Sequence, residues 1–214
     1  LNLTKTHLPM NLFESSAGRE GLPEVPATDG YSAQYSDDGG LHRVLLPGGE
    51  ILYHSSFLSG DEATRSLEYL TAGKERSLLQ LGRTESITNV RFKHIDWRQE
   101  TISMWGKTHL IPRLTAWHGD PGAHYEYSKI SQKPGPWNSC LRFILEKVEA
   151  ATQASFNSVL LNWYRDGDDH LGWHADDEPE LGDQPTIASI SVGVPRDFVL
   201  RRNASLKEKL SFKL

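Results

Sequence analysis

The chain has 214 residues, of which 37% are apolar and 24% charged, with a formal net charge of −5. That length and composition fit one folded globular domain with a substantial core, or a domain with an arm. No apolar run approaches the roughly 18 residues of a membrane span, no charged-then-apolar leader is present, and the acidic balance rules out a uniformly basic nucleic-acid coat. An intracellular monomer without membrane association is expected, cytoplasmic in a bacterium and nuclear in a eukaryote. The charge is nevertheless uneven. Nine acids face two bases from Glu14 to Glu62, whereas eight bases face four acids from Lys74 to Arg113. A local basic patch of that kind can steer a polyanion.

Residues 1–40 read as an irregular N-terminal arm, since 14–40 is rich in Gly, Pro, Ser and Asp and poor in large apolar groups. The remaining 41–214 read as one domain. Short strands are predicted at 42–46 and 51–54. Asp61 caps a predicted helix reaching Leu70, with Ala63, Leu67 and Leu70 at helical spacing and Gly73 beyond it. A strand is predicted at 87–92. A proline- and glycine-rich stretch from Pro112 to Pro136 carries Trp117, Tyr125 and Tyr127. A second helix is predicted over 137–151, where Leu141, Ile144, Leu145 and Val148 share a face. The single Cys140 falls in it and is expected in the core; with no second cysteine there is no internal disulfide, which fits a reducing compartment. Strands are then predicted at 157–164, 171–176, 186–193, 197–202 and 206–214. Two helices followed by antiparallel strands point to an α+β fold whose β part is a sandwich or barrel.

The chemistry concentrates between Asn157 and Arg202. His174 and Asp176 are two apart, and on a strand residues i and i+2 point to the same side. An imidazole and a carboxylate facing one point make two-thirds of the 2-His-1-carboxylate set that holds Fe(II) with open positions. His-x-Asp alone is weak, because such pairs arise by chance. Asp166-Gly167 reads as a hairpin turn that returns Asn162 and Tyr164 beside His174. An amide and a phenol there suit hydrogen bonding to a dicarboxylate. His170 precedes His174 by four, but the strand pattern argues against a helical metal pair, so it reads as structural. His94, His109 and His124 have no ligand-like spacing.

Several ordered blocks resemble the AlkB family of Fe(II)/2-oxoglutarate-dependent nucleic-acid dealkylating dioxygenases. They are Pro112 to Asp120, Tyr125-Glu126-Tyr127-Ser128, Asn157 to Glu178, and Ile187 to Gly193 with Arg196 and Phe198. The resemblance covers about 100–214 well and is nearest to the DNA-acting branch. It implies a double-stranded β-helix (jelly-roll) core with N-terminal helices. It implies that His174 and Asp176 bind Fe(II), that Asn162 and Tyr164 hold 2-oxoglutarate, and that O2 is the second co-substrate. Trp117, His118, Tyr125 and Tyr127 would line the base pocket. Asp177 and Glu178 would read the flipped base and favour cationic lesions; without the resemblance they read as a solvated loop. Trp105, ahead of this block, would fill the gap left by a flipped base, or else be a partly buried surface tryptophan. The implied reaction restores 1-methyladenine and 3-methylcytosine in DNA, with RNA a further candidate, and yields formaldehyde, succinate and CO2.

The family pattern also requires a second iron histidine and a 2-oxoglutarate arginine farther on. No histidine follows His174, and Arg201 and Arg202 come too early. The last strands, roughly a fifth of such a domain, are therefore expected to be missing, and the 214 residues alone are expected to be inactive. Two other readings stand beside this one: a 2-oxoglutarate oxygenase with another substrate, and a truncated, inactive nucleic-acid-binding fragment.

Overall fold

A computed structural model describes residues 2–5, 25–26, 29–36, 40–72, 90–91, 94–104, 106–123, 125–127, 130–176, 181–204 and 207–214. In chain order the elements are β1 (Asn2–Lys5), β2 (Ser32–Gln34), β3 (Leu41–Leu46), β4 (Gly49–His54), α1 (Gly60–Leu70), β5 (Val90–Arg91), β6 (Asp96–Trp97), β7 (Thr101–Met104), β8 (Lys107–Leu110), β9 (Leu114–Gly119), β10 (Tyr125–Tyr127), β11 (Ile130–Gln132), α2 (Ser139–Thr152), β12 (Ser158–Trp163), β13 (Thr186–Ser189), β14 (Asp197–Arg201) and β15 (Lys209–Lys213). The α+β class is as expected. Two pieces of the expected irregular arm, β1 and β2, are strands. The chain forms two compact units, Leu1–Leu8 with Ser66–Ile190 and Pro9–Arg65 with Ser191–Leu214. Among the described residues no helix is long and apolar enough to cross a membrane.

The Pro9–Arg65 and Ser191–Leu214 unit holds the three-stranded antiparallel sheet β2-β3-β4 and the hairpin β14-β15. Period-two burial built these strands. Val44 on β3, Tyr53 on β4, and Leu210 and Phe212 on β15 are buried together as one core, while Leu41 and Leu52 on the alternate faces are exposed. The Tyr53 and Phe212 rings lie 5.4 Å apart, and the Tyr53 hydroxyl donates to the Lys213 carbonyl at 3.1 Å. The β3–β4 connection is tight because Gly48 sits at φ +91°, a conformation that suits glycine.

The Leu1–Leu8 and Ser66–Ile190 unit is built on the antiparallel sheet β13-β1-β12-β9. Six pairs join β12 to β9, from Ser158↔Gly119 to Trp163↔Leu114. α2 starts where the Asn138 side chain accepts from Leu141 N at 2.9 Å, an N-cap. It ends at Gln153, whose φ of 52° is left-handed and whose N–H returns to Glu149 O. Its buried face is Cys140, Leu141, Ile144 and Val148. Cys140 is a core residue as expected, its thiol against Ser66 O at 4.0 Å and its pKa pushed up by burial.

One expected strand does not form: residues 171–176 carry no ladder. The Asp166-Gly167 hairpin that was to create it is replaced by a compact loop. Asp166 Oδ1 accepts from Asp168 N at 2.9 Å and Asp169 N at 3.2 Å, a local side-chain-to-backbone turn.

Candidate metal centre

β12 delivers Asn162 opposite Thr115 of β9. The Asn162 Oδ1 atom is buried and has no hydrogen-bond partner among the described residues. Tyr164 follows just past the strand end. The loop then closes through an ion pair: Asp169, only 1% exposed, accepts from Arg165 N at 3.0 Å, Nε at 2.7 Å and Nη2 at 2.9 Å. Burial alone would raise the Asp169 pKa, but the hydrogen bonds and charge of Arg165 outweigh it and hold the carboxyl below its ordinary value.

His174 and Asp176 come next, both exposed, with side-chain accessibilities of 41% and 38%. His174 Nδ1 lies 2.9 Å from Gly172 O. A carbonyl only accepts, so Nδ1 carries the proton, and in the neutral ring Nε2 presents its lone pair. That Nε2 is 3.5 Å from Asp176 Oδ1. With Nε2 unprotonated, the imidazole nitrogen and the carboxylate oxygen are two donor atoms that one cation can share. Nitrogen and oxygen ligands at roughly 2.0–2.2 Å from one metal stand about 3 Å apart when cis, so a small closure lets one ion take both. The donor set, one imidazole and one carboxylate without thiolate, suits Fe(II). Among the described residues no group of three or more His, Cys, Asp or Glu side chains gathers at one metal-sized point. The pair thus fits the iron reading as two of its ligands, although the same-strand geometry that first suggested it is absent.

The other expected site residues are distributed as follows. Trp117 is half-buried on β9 and its indole donates to Ala123 O at 3.2 Å. His118, beside it, is 7% exposed, with Nδ1 at 2.8 Å from Pro136 O. Burial lowers its pKa, against the opposing effects of the Pro136 carbonyl and Asp96. Its ring also lies where a side chain on Gly135 would sit, 2.9 Å from the position of a Cβ there. The described contacts of His118 are those of a packing residue that fixes 135–136 against β9. Tyr125 and Tyr127 lie on β10, paired to β11; their side chains, and all of Trp105, Asp177 and Glu178, lie outside the described residues. The neighbours of Trp105 are placed, because Met104 pairs with Lys107 in the β7–β8 hairpin and Gly106 has φ +75°.

Two features escaped the sequence reading. Arg165 and Asp169 show there only as opposite charges four apart, a signal normally attributed to helices. Arg113 is 4% exposed and its Nε has no acceptor among the described residues, which no local pattern announces.

A model of the 2OG-Fe(II) oxygenase superfamily matches residues 78–214. The chain therefore belongs to the 2OG-Fe(II) oxygenase superfamily, dioxygenases that use Fe(II), 2-oxoglutarate and O2. Within it the sequence is similar to alkB homologs. It is 42% identical over 115 residues to the human alpha-ketoglutarate-dependent dioxygenase alkB homolog 3, covering 53% of this chain and 40% of that protein. It is 44% identical over 104 residues to the human DNA oxidative demethylase ALKBH2, covering 49% and 40%. The protein of that name from Arabidopsis thaliana is 40% identical over 114 residues, covering 51% and 36%. The chain spans about two-fifths of the length of these curated relatives.

Proposed function

We propose that the protein oxidatively demethylates alkylated bases, 1-methyladenine and 3-methylcytosine, in DNA, on a jelly-roll core. The observation that carries the reading is the acceptor pair formed by His174 Nε2 and Asp176 Oδ1, 3.5 Å apart in a chain of this superfamily. The similarity to proteins named DNA oxidative demethylase supports the substrate class.

When bound, Fe(II) with 2-oxoglutarate and O2 supplies the oxidising power that removes an N-methyl group as formaldehyde, with succinate and CO2 as co-products. His174 and Asp176 hold the metal, and the Nδ1–H to Gly172 O bond keeps the Nε2 lone pair directed outward. Asn162 and Tyr164 orient the co-substrate. An unpartnered buried amide oxygen such as Asn162 Oδ1 costs about 1–3 kcal/mol, and a bound polar ligand offsets that cost, with the amide flip set by whichever atom it meets. Trp117, Tyr125 and Tyr127 offer stacking faces to an extracted base. Asp177 and Glu178 favour the cationic lesions by charge, and Trp105 fills the vacated stack.

The test is formaldehyde and succinate release from an oligonucleotide carrying N1-methyladenine, in the presence of Fe(II) and 2-oxoglutarate. In a protein that also carries the second iron histidine and the 2-oxoglutarate arginine of the family pattern, turnover is expected, and His174→Ala and Asp176→Ala should reduce it to background. Succinate without formaldehyde on methylated DNA or RNA would overturn the substrate assignment. Full activity in His174→Ala would sink the site assignment.

A further inference from the structure

His174 and Asp176 sit on a segment without a ladder, so the accuracy of their placement must come from elsewhere. The fixed points upstream of them concentrate on one buried charge. Asp169 takes three donors from Arg165, at 2.7–3.0 Å. The remaining guanidinium nitrogen, Nη1, reaches Gln99 Oε1 at 3.5 Å, and Gln99 Nε2 donates to Ile111 O at 3.0 Å. His170 N donates to Pro112 O at 3.0 Å. The loop is thereby tied at both ends to the stretch that leads into β9, the strand paired with Asn162. The last of these ties lies four residues before His174.

A buried ion pair is a poor source of stability, since an apolar pair of similar volume often serves the fold as well. What such a pair supplies is a single geometry: planar, forked and intolerant of displacement. We propose that the Arg165–Asp169 clasp is the positioning device of the metal centre. Arg165 and Asp169 touch neither metal nor substrate; they set where the His174–Asp176 pair stands. The proposal rests on the reading of that pair as metal ligands.

The experiment titrates the metal-free protein with Co(II) alone, followed by visible absorption, alongside thermal midpoints of the same samples. Asp169→Asn should weaken Co(II) binding on the order of 10-fold or more, the range found when partners behind a metal ligand are lost. The double variant Arg165→Met/Asp169→Leu separates position from stability. It should regain the wild-type midpoint and still bind Co(II) weakly. Recovery of Co(II) affinity together with the midpoint would overturn the proposal, as would wild-type affinity in Asp169→Asn. His174→Ala distinguishes the two levels of the argument. If it binds Co(II) like wild type, the metal reading itself fails and takes the clasp with it. If it loses binding while Asp169→Asn does not, the clasp alone is wrong.

Discussion

Two histidines of one small unit have opposite chemistry because their surroundings differ. His174 is exposed, with one nitrogen committed to Gly172 O and the other facing a carboxylate, so its ring is available to a cation. His118 is buried, with Nδ1 committed to Pro136 O, and desolvation favours its neutral form. The folded pKa of His118 lies below its unfolded value of about 6.5. Its contribution to stability is therefore fully present above that value and lost as pH falls through the folded pKa, because the unfolded chain takes up a proton that the folded one resists. The urea midpoint should accordingly drop between pH 7.5 and pH 5. His118→Asn, which keeps a donor for Pro136 O and does not titrate, should flatten that drop. An equal drop in the variant would assign the acid sensitivity to other groups.

At the scale of elements, α2 shows how much a cap decides. Asn138 satisfies the Leu141 N–H, and no acidic residue in the first turn assists it. Asn138→Ala should cost about 1 kcal/mol, read as a lower chemical-denaturation midpoint with the slope unchanged; an unaltered midpoint would show that the helix start is held by packing alone. α2 was legible in the sequence because Leu141, Ile144 and Val148 recur at helical spacing, and β3, β4 and β12 were legible because apolar residues alternate or run together. The segment at 171–176 was misread for a definable reason. Asp-Gly flanked by apolar residues signals a hairpin, but Asp166 spends its side chain on Asp168 N and Asp169 N, and Arg165 draws Asp169 inward. Those are tertiary choices among charged residues that a period-two pattern does not register. His174 and Asp176 nevertheless stand 3.5 Å apart, because residues two apart can meet without a ladder. The β7–β8 hairpin went unseen because each strand has only four residues and β8, Lys-Thr-His-Leu, is mostly exposed and lacks an apolar alternation, leaving only Gly106 to mark the turn.

At the scale of the whole molecule, residues far apart in sequence are gathered into two units with separate apolar interiors. One is assembled from Val44, Tyr53, Leu210 and Phe212, so the C-terminal strand β15 closes a core begun more than 150 residues earlier, as the Tyr53 hydroxyl bond to Lys213 O across 160 positions shows. The other contains the buried Leu114, Leu161, Ile144 and Val148 and carries the metal-centre residues. Stability need not be uniform in such a molecule, because each unit can open by the loss of its own packing. Phe212 is 3% exposed, and truncating it to alanine removes an aromatic ring from an interior of four buried side chains with six partly buried ones packed against them. Phe212→Ala should cost about 3–5 kcal/mol, and the cost should fall first on its own unit. Hydrogen exchange is the measurement: amides of β2–β4 and β14–β15 should lose protection while those paired between β9 and β12 keep theirs. In that case Co(II) binding at His174 should also persist in the variant. A uniform loss of protection across both sets would mean instead that the two interiors unfold as one cooperative body, and that damage at β15 is felt at the metal centre through global stability alone.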